Sequence, residues 1–81
     1  GSGYLVYPNP AHGLVNVVVA AGSTGVRILG TALTGKTVAD KSVSESNGAA
    51  VSIDLGGAAP GVYIMKINAS TGSYTTKVTI D

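Results

Sequence analysis

The chain of 81 residues contains no cysteine, no tryptophan and no phenylalanine. The absence of cysteine excludes a thiol nucleophile, a cysteine-ligated zinc site and a disulfide framework. Charged residues make up only 11% of the chain, and five Lys and Arg oppose four Asp and Glu. The basic residues are scattered, whereas nucleic-acid binders group them on one face or in one run. We therefore expect no nucleic-acid partner, and no polybasic segment favours a membrane surface.

Long apolar runs are also missing. No stretch of about 18 apolar residues could cross a bilayer as a helix, so we expect no direct membrane insertion. Residues 1–3 (Gly-Ser-Gly) resemble a cloning remnant, and residues 4–81 have the length of one small domain. The composition is typical of secreted proteins although no signal peptide is present. From the cloning remnant we expect the chain to be a piece of a longer protein, with any signal peptide at the far end of that protein.

What the chain has in abundance is glycine, valine and threonine, which together favour β-structure over helix. The apolar residues alternate with a period of two rather than 3.6. Glycine- and proline-rich stretches separate the alternating segments, as expected for turns. The pattern predicts seven short strands over residues 4–7, 14–20, 26–31, 37–42, 50–55, 62–68 and 74–80.

Seven strands at spacings of roughly 8–12 residues are the sequence signature of a sandwich or barrel. We predict a small all-β fold: an Ig-like antiparallel β-sandwich of Greek-key type. Strand alternation also predicts which side chains point into the core. These are Val15, Val17, Val19, Val26, Ile28, Val51, Ile53, Leu55, Tyr63, Met65, Ile67, Val78 and Ile80.

Groups able to do chemistry are few. His12 could act as a general base or metal ligand, but no carboxylate or second histidine lies near it in sequence, so an exposed turn residue is the preferred interpretation. A calcium ion needs about six to eight converging oxygens. The four carboxylates, Asp40, Glu45, Asp54 and Asp81, are instead spread along the chain. We predict no catalytic residue, no cofactor and no metal site.

Three blocks of sequence carry a family resemblance. The first is Tyr7-Pro8-Asn9-Pro10 followed by Gly13, and the second is the turn at residues 33–36, which ends in Gly35-Lys36. The third comprises residues 53–55, the block Gly-Val-Tyr-Ile-Met-Lys-Ile at 61–67, and Lys77-Val78 near the end. In this order they resemble the type A C-terminal sorting domain of type IX secretion substrates, found in Bacteroidetes, over residues 4–81.

The resemblance implies a non-enzymatic secretion signal that follows an N-terminal cargo domain. Such proteins pass through the periplasm, are recognised by type IX translocon components, cross the outer membrane and become secreted or surface-bound. A sortase-like cysteine peptidase then removes the domain, by a cut upstream of Tyr4. We hypothesise that recognition relies mainly on the last hairpin, residues 61–81, because it carries a family-like block and its end strand could present an unpaired edge. The expected recognition residues are Gly61, Tyr63, Met65, Lys66, Lys77 and Val78.

Two other functions remain open at this point. One is an Ig-like carbohydrate-binding accessory module of a secreted enzyme, with Tyr4, Tyr7 and Tyr74 as an aromatic strip for stacking sugars. The absence of tryptophan and phenylalanine argues against it. The other is a structural spacer or adhesin repeat, which the absence of internal repeats disfavours.

Overall fold

The computed structural model describes residues 4–8, 12–55 and 57–81. Its elements are β1 (Leu5–Tyr7), β2 (Leu14–Val18), β3 (Thr24–Ala32), β4 (Thr37–Glu45), β5 (Val51–Asp54), β6 (Gly61–Ala69) and β7 (Gly72–Ile80). All seven predicted strands are therefore confirmed. Over the described ranges, no helix has the length and apolar character needed to cross a membrane.

The strands form two antiparallel sheets. One has three strands in the order β1–β2–β5, and the other has four in the order β4–β3–β6–β7. The chain passes between the sheets after β2, after β4 and after β5, so the topology is not a simple meander. It is the strand order of an Ig-like sandwich in which the fourth strand pairs with the third. The predicted fold class is confirmed.

The core lies between the two sheets and is built by the alternating residues of both. Of the thirteen side chains predicted to point inward, all but Val51 are buried. Val51 is only partly buried, because it lies in β5, which is an edge strand of the three-stranded sheet. Strand alternation was therefore a reliable guide to the core, except at a sheet edge.

Strand ends differ from the prediction where hydrogen bonding overrides local composition. β3 begins at Thr24 rather than at residue 26, because Thr24 pairs with Glu45 and lengthens the β3–β4 hairpin at both strands. β2 ends at Val18 rather than at residue 20. There the Ala20 carbonyl accepts hydrogen bonds from the Ser23 amide at 3.2 Å and from the Ser23 hydroxyl at 2.6 Å, which starts a turn.

The β6–β7 turn is tighter than expected. Ala69 and Gly72 already form a cross-strand pair, so only Ser70 and Thr71 lie in the turn, not residues 70–73. The Ser70 amide donates to the Thr24 carbonyl at 3.0 Å, which attaches this turn to the start of β3. The last hairpin is thus fixed at its tip as well as along its strands.

Candidate recognition surface

The last hairpin has two chemically different faces. β6 and β7 pair in unbroken register from Gly61 with Ile80 to Ala69 with Gly72. Because successive side chains of a strand point to opposite sides, every second residue enters the core and the others face outward. β7 is the outermost strand of the four-stranded sheet as described. The expected recognition residues divide between these two faces.

Three of the expected recognition residues lie in the core. Tyr63 is 6% exposed, and Met65 and Val78 are fully buried. Tyr63 and Val78 are direct cross-strand partners. The Tyr63 hydroxyl donates a hydrogen bond to the carbonyl of Ala59, which satisfies its polar end. A partner cannot contact these side chains while the domain is folded, so their contribution is to the fold that presents the surface.

Two of the expected residues lie on the outer face. Lys66 and Lys77 are both exposed. Lys66 pairs with Thr75 and Lys77 pairs with Ile64, so the two lysines are diagonal neighbours on adjacent strands. The fold therefore places two lysines that are separated in sequence at diagonal positions on adjacent strands.

Apolar side chains surround these lysines, and sequence reasoning did not single them out. Val62 and Ile64 share the outward side of β6 with Lys66, and Leu29 of β3 pairs directly with Lys66. Val62 is 38% exposed, and Leu29 and Ile64 are partly buried. Strand alternation could have placed Val62 and Ile64 on this side, whereas Leu29 needed the β3–β6 register. We call the surface formed by Leu29, Val62, Ile64, Lys66 and Lys77 the lysine face.

The carboxylate on the outward side of this sheet is held by an arginine. Asp40 Oδ2 lies 2.9 Å from Arg27 Nη2, and Asp40 Oδ1 accepts a second hydrogen bond from Arg27 Nε at 3.3 Å. Hydrogen bonding to Arg27 lowers the pKa of Asp40, and the same contact raises the pKa of Arg27. With Arg27, Lys66 and Lys77 against Asp40, the outward side of the four described strands carries a net charge of +2.

The outer face of the three-stranded sheet is chemically distinct. Leu5 is 54% exposed, Leu14 is 53% exposed and Tyr7 is 39% exposed. Asp54 pairs with Leu14, and no basic side chain lies on the described strands of this sheet. The two outer faces therefore differ in charge while both expose apolar groups.

The first family-like block lies at the end of β1. Tyr7 is the last residue of that strand, and its peptide bond to Pro8 is cis. Asn9 and Pro10 lie outside the described residues. Gly13 is buried with φ of 115°, a conformation that favours glycine. The Leu55 amide donates to the Gly13 carbonyl, so this glycine joins the start of β2 to the end of β5.

The second block forms the predicted β3–β4 turn. Gly35 has φ of 93°, and its amide donates to the Ala32 carbonyl at 2.9 Å. The Ala32 amide donates to the Lys36 carbonyl at 2.8 Å, while the Lys36 side chain is exposed. At the start of β6, Gly61 has φ of 153°, which few other residues adopt. Gly35 and Gly61 therefore have backbone reasons for being glycine.

The three tyrosines of the sugar-binding alternative do not form one strip. The Tyr4 and Tyr74 rings stack on each other, with centroids 5.5 Å apart and planes 1° apart, and both pack against the core. Tyr7 is instead exposed on the outer face of the three-stranded sheet. The strip that the sugar-binding alternative requires is not formed by these tyrosines, because strand alternation turns Tyr7 away from the core-facing pair.

His12 is exposed, as predicted, but it has a carboxylate neighbour that sequence reasoning missed. His12 Nδ1 lies 3.6 Å from Asp81 Oδ2, at the other end of the chain. Both side chains are largely exposed, at 84% and 48%, so water screens their interaction. Among the described residues, no three histidines or carboxylates converge on a possible metal position. Within residues 4–8, 12–55 and 57–81, no third side chain forms a hydrogen bond or ion pair with the imidazole to orient it for acid–base chemistry.

Shallow pockets of about 210 to 360 Å³ lie along the seam between β4 and β5. This seam lies at the opposite edge of the four-stranded sheet from β7. The pockets therefore include neither His12 nor the lysine face. At its last hairpin the molecule offers a partner a surface of charged and apolar side chains.

These features define a small Ig-like β-sandwich whose exposed candidate recognition residues lie on the surface of its four-stranded sheet. The family described as the secretion system C-terminal sorting domain matches residues 5–81. The chain belongs to this family, whose members are C-terminal sorting signals of the type IX secretion system. A search of curated proteins returned no match.

Membership gives the general function of the domain. Sorting domains of this family are not catalytic. They interact with the type IX secretion system, and they direct proteins to the cell surface or the exterior. The resemblance identified from the three sequence blocks is thereby confirmed.

Proposed function

We propose that this domain delivers an N-terminal cargo protein from the periplasm across the outer membrane and is removed there by a sortase-like cysteine peptidase. The observation that supports this most directly is the family match over residues 5–81. In this account the folded sandwich is the signal, translocon components recognise it in the periplasm, and the peptidase acts after the crossing.

Recognition in this proposal relies mainly on the last hairpin, residues 61–81. The hairpin carries two segments of the third family-like block, and its second strand, β7, is the outermost strand of the larger sheet. Deleting residues 77–81 is a poor test, because Val78 and Ile80 are core residues that are 0% and 4% exposed. Loss of export by such a truncation would report unfolding as readily as lost recognition.

The proposed cut falls upstream of Tyr4. Tyr4 packs against the core, stacks on Tyr74 and shares a hydrogen bond of 3.1 Å with the Thr71 hydroxyl. A peptidase needs an extended and accessible segment, which a residue held by three such contacts does not provide. Cleavage before Tyr4 would release the sandwich intact.

The test follows the cargo through the envelope. We would fuse a signal peptide and a reporter to the chain, express the fusion in a Bacteroidetes host, and determine the reporter's C-terminal residue in each fraction by mass spectrometry. The account predicts uncut fusion in the periplasm and reporter ending before Tyr4 at the surface. Surface reporter that still carries the intact domain would contradict removal, and cut reporter in the periplasm would contradict the order of events.

A further inference from the structure

The lysine face combines positive charge with apolar surface in one small area. Lys66 and Lys77 are diagonal neighbours, and the carboxylate on the same side of the sheet, Asp40, lies in a two-bond contact with Arg27. Both lysine side chains are exposed, so their positive charges are accessible to a partner. Exposed ammonium groups on neighbouring strands are complementary to carboxylates on a partner protein.

The apolar members of the lysine face are not needed for the core. The inward side chains of β3 and β6 already fill the space between the sheets, with Ile28, Met65 and Ile67 fully buried. Val62, Ile64 and Leu29 nevertheless occupy outward positions that a polar β-former such as threonine could fill. Apolar groups beside a charge exclude water when a partner docks, which strengthens the ion pair that forms.

We propose that the lysine face is a docking surface for a protein of the type IX machinery that presents carboxylates beside an apolar patch. This inference rests on the proposed sorting function and specifies the chemistry of its recognition step. Charge complementarity selects the acidic partner, and the flanking apolar groups select a protein surface over a free anion.

An anionic membrane is a weaker fit. Segments that bind anionic lipid use clusters of about four to eight basic residues, each contributing modestly. The outward side of this sheet has three basic residues, and one of them, Arg27, is bound to Asp40. A β-sheet also has no apolar helix face to insert into the lipid. The membrane alternative is therefore one outcome of the test.

The decisive variant reverses the two charges of the face. We would compare Lys66→Glu/Lys77→Glu with the matched control Lys36→Glu/Lys41→Glu, which changes net charge equally at exposed lysines of the β3–β4 hairpin. All four side chains are exposed, so both variants should fold, and circular dichroism and thermal melting verify this before export is measured. We expect the face variant to reduce export of a reporter fusion at least ten-fold and the control to reduce it less than two-fold.

A second arm tests the apolar part of the face. Val62→Thr/Ile64→Thr keeps β-branched side chains in β6 and removes apolar surface beside the lysines. Leu5→Thr/Leu14→Thr makes a comparable change on the outer face of the other sheet, where both leucines are more than half exposed. We expect export to fall several-fold for the first pair and to remain within two-fold of wild type for the second.

A third arm identifies the chemistry of the partner. A water-soluble carbodiimide joins a lysine amine to a carboxylate without a spacer, so a cross-link reports direct contact. In envelopes of cells exporting the fusion, we expect Lys66 and Lys77 to join Asp or Glu of a secretion-machinery protein. Cross-links from Lys36 and Lys41 alone would overturn the proposal. A flotation experiment with phosphatidylglycerol vesicles tests the membrane alternative. If the wild-type fusion floats with the vesicles and the Lys66→Glu/Lys77→Glu variant does not, lipid is the ligand and the proposal is overturned.

The outcomes separate this inference from the function on which it rests. In one outcome, the wild-type fusion is exported only when the type IX system works, and the face variant is exported equally well. That outcome would overturn the docking surface and leave the sorting function unaffected. If the wild-type fusion itself is not exported, the sorting function fails, and the docking surface fails with it.

Discussion

Tyr4 and Tyr74 stack with their rings parallel, with ring centroids 5.5 Å apart and ring planes 1° apart. The first residue is just before β1 of the three-stranded sheet and the second is in β7 of the four-stranded sheet. A hydrogen bond of 3.1 Å between the Tyr4 and Thr71 hydroxyls supports the stack. Thr71 Oγ1 also lies 2.8 Å from the buried Ser23 hydroxyl. The start of the sandwich is thus fastened to its last hairpin.

We predict that Tyr4 and Tyr74 are energetically coupled. Stacked aromatic pairs contribute about 0.5–1.5 kcal/mol beyond the area they bury. A double-mutant cycle with Tyr4→Ala and Tyr74→Ala, measured by urea unfolding, should give a coupling free energy of about 1 kcal/mol. Pairing Tyr7→Ala with Tyr74→Ala is the control and should be additive to within about 0.3 kcal/mol. Additive losses for the first pair would mean that the stack does not stabilise the fold.

Met65 and Lys66 are adjacent in a family-like block, and we predict opposite consequences for their substitution. Met65 is fully buried, so Met65→Ala should lower the free energy of unfolding by about 2–5 kcal/mol through lost burial and a cavity. Lys66→Ala should change it by less than about 0.5 kcal/mol, because Lys66 is exposed. Thermal melting of both variants checks this. A stable Met65→Ala protein would contradict the structural explanation of the block.

Gly30 occupies a buried position of β3 where a side chain would be crowded. A Cβ added there would lie 3.1 Å from Met65 Sδ and 3.2 Å from Ala39 Cβ. We predict that Gly30→Ala destabilises the domain by about 1 kcal/mol, since overpacking outweighs the entropic gain of replacing glycine. Gly57→Ala is the control, because a Cβ there meets nothing within 4 Å. Chemical denaturation should show the control to be neutral or slightly stabilising, and equal effects of both substitutions would refute the crowding.

Asp40 should titrate below its ordinary range. Its ordinary pKa is 3.8, and hydrogen bonding to Arg27 lowers it. Since the folded pKa is the lower one, the contact stabilises the fold above pH 3.8 and this stabilisation is lost as the pH falls through the folded pKa. Carboxyl-detected NMR should show the Asp40 midpoint below 3.8, and Arg27→Ala should move it upward. An unchanged midpoint in that variant would exclude Arg27 as the cause.

Much of the fold follows from the sequence because a strand's two-residue period identifies its buried side. Val15, Val17 and Val19 illustrate this, since a single polar residue, Asn16, was enough to orient them. The same period predicts that Lys66 and Val62 share one face of β6. The family was also identifiable, because its blocks place glycines such as Gly35 where the backbone needs positive φ.

What the sequence could not predict depends on contacts between distant segments. The proximity of His12 to Asp81 and the stacking of Tyr4 on Tyr74 both require knowing how the two sheets face each other. The diagonal placement of Lys66 and Lys77 needs the β6–β7 register, which the two-residue turn sets. The candidate site was therefore found in sequence as a group of residues, and only the fold separates its buried members from its exposed ones.

The most direct test of the central claim is export of a reporter by this chain alone. A fluorescent reporter preceded by a signal peptide and followed by the chain would be expressed in a Bacteroidetes host with and without a working type IX system. The account predicts extracellular or surface fluorescence only in the strain with the system. Reporter retained in the periplasm of both strains, attached to a folded domain, would contradict a sorting function for this chain.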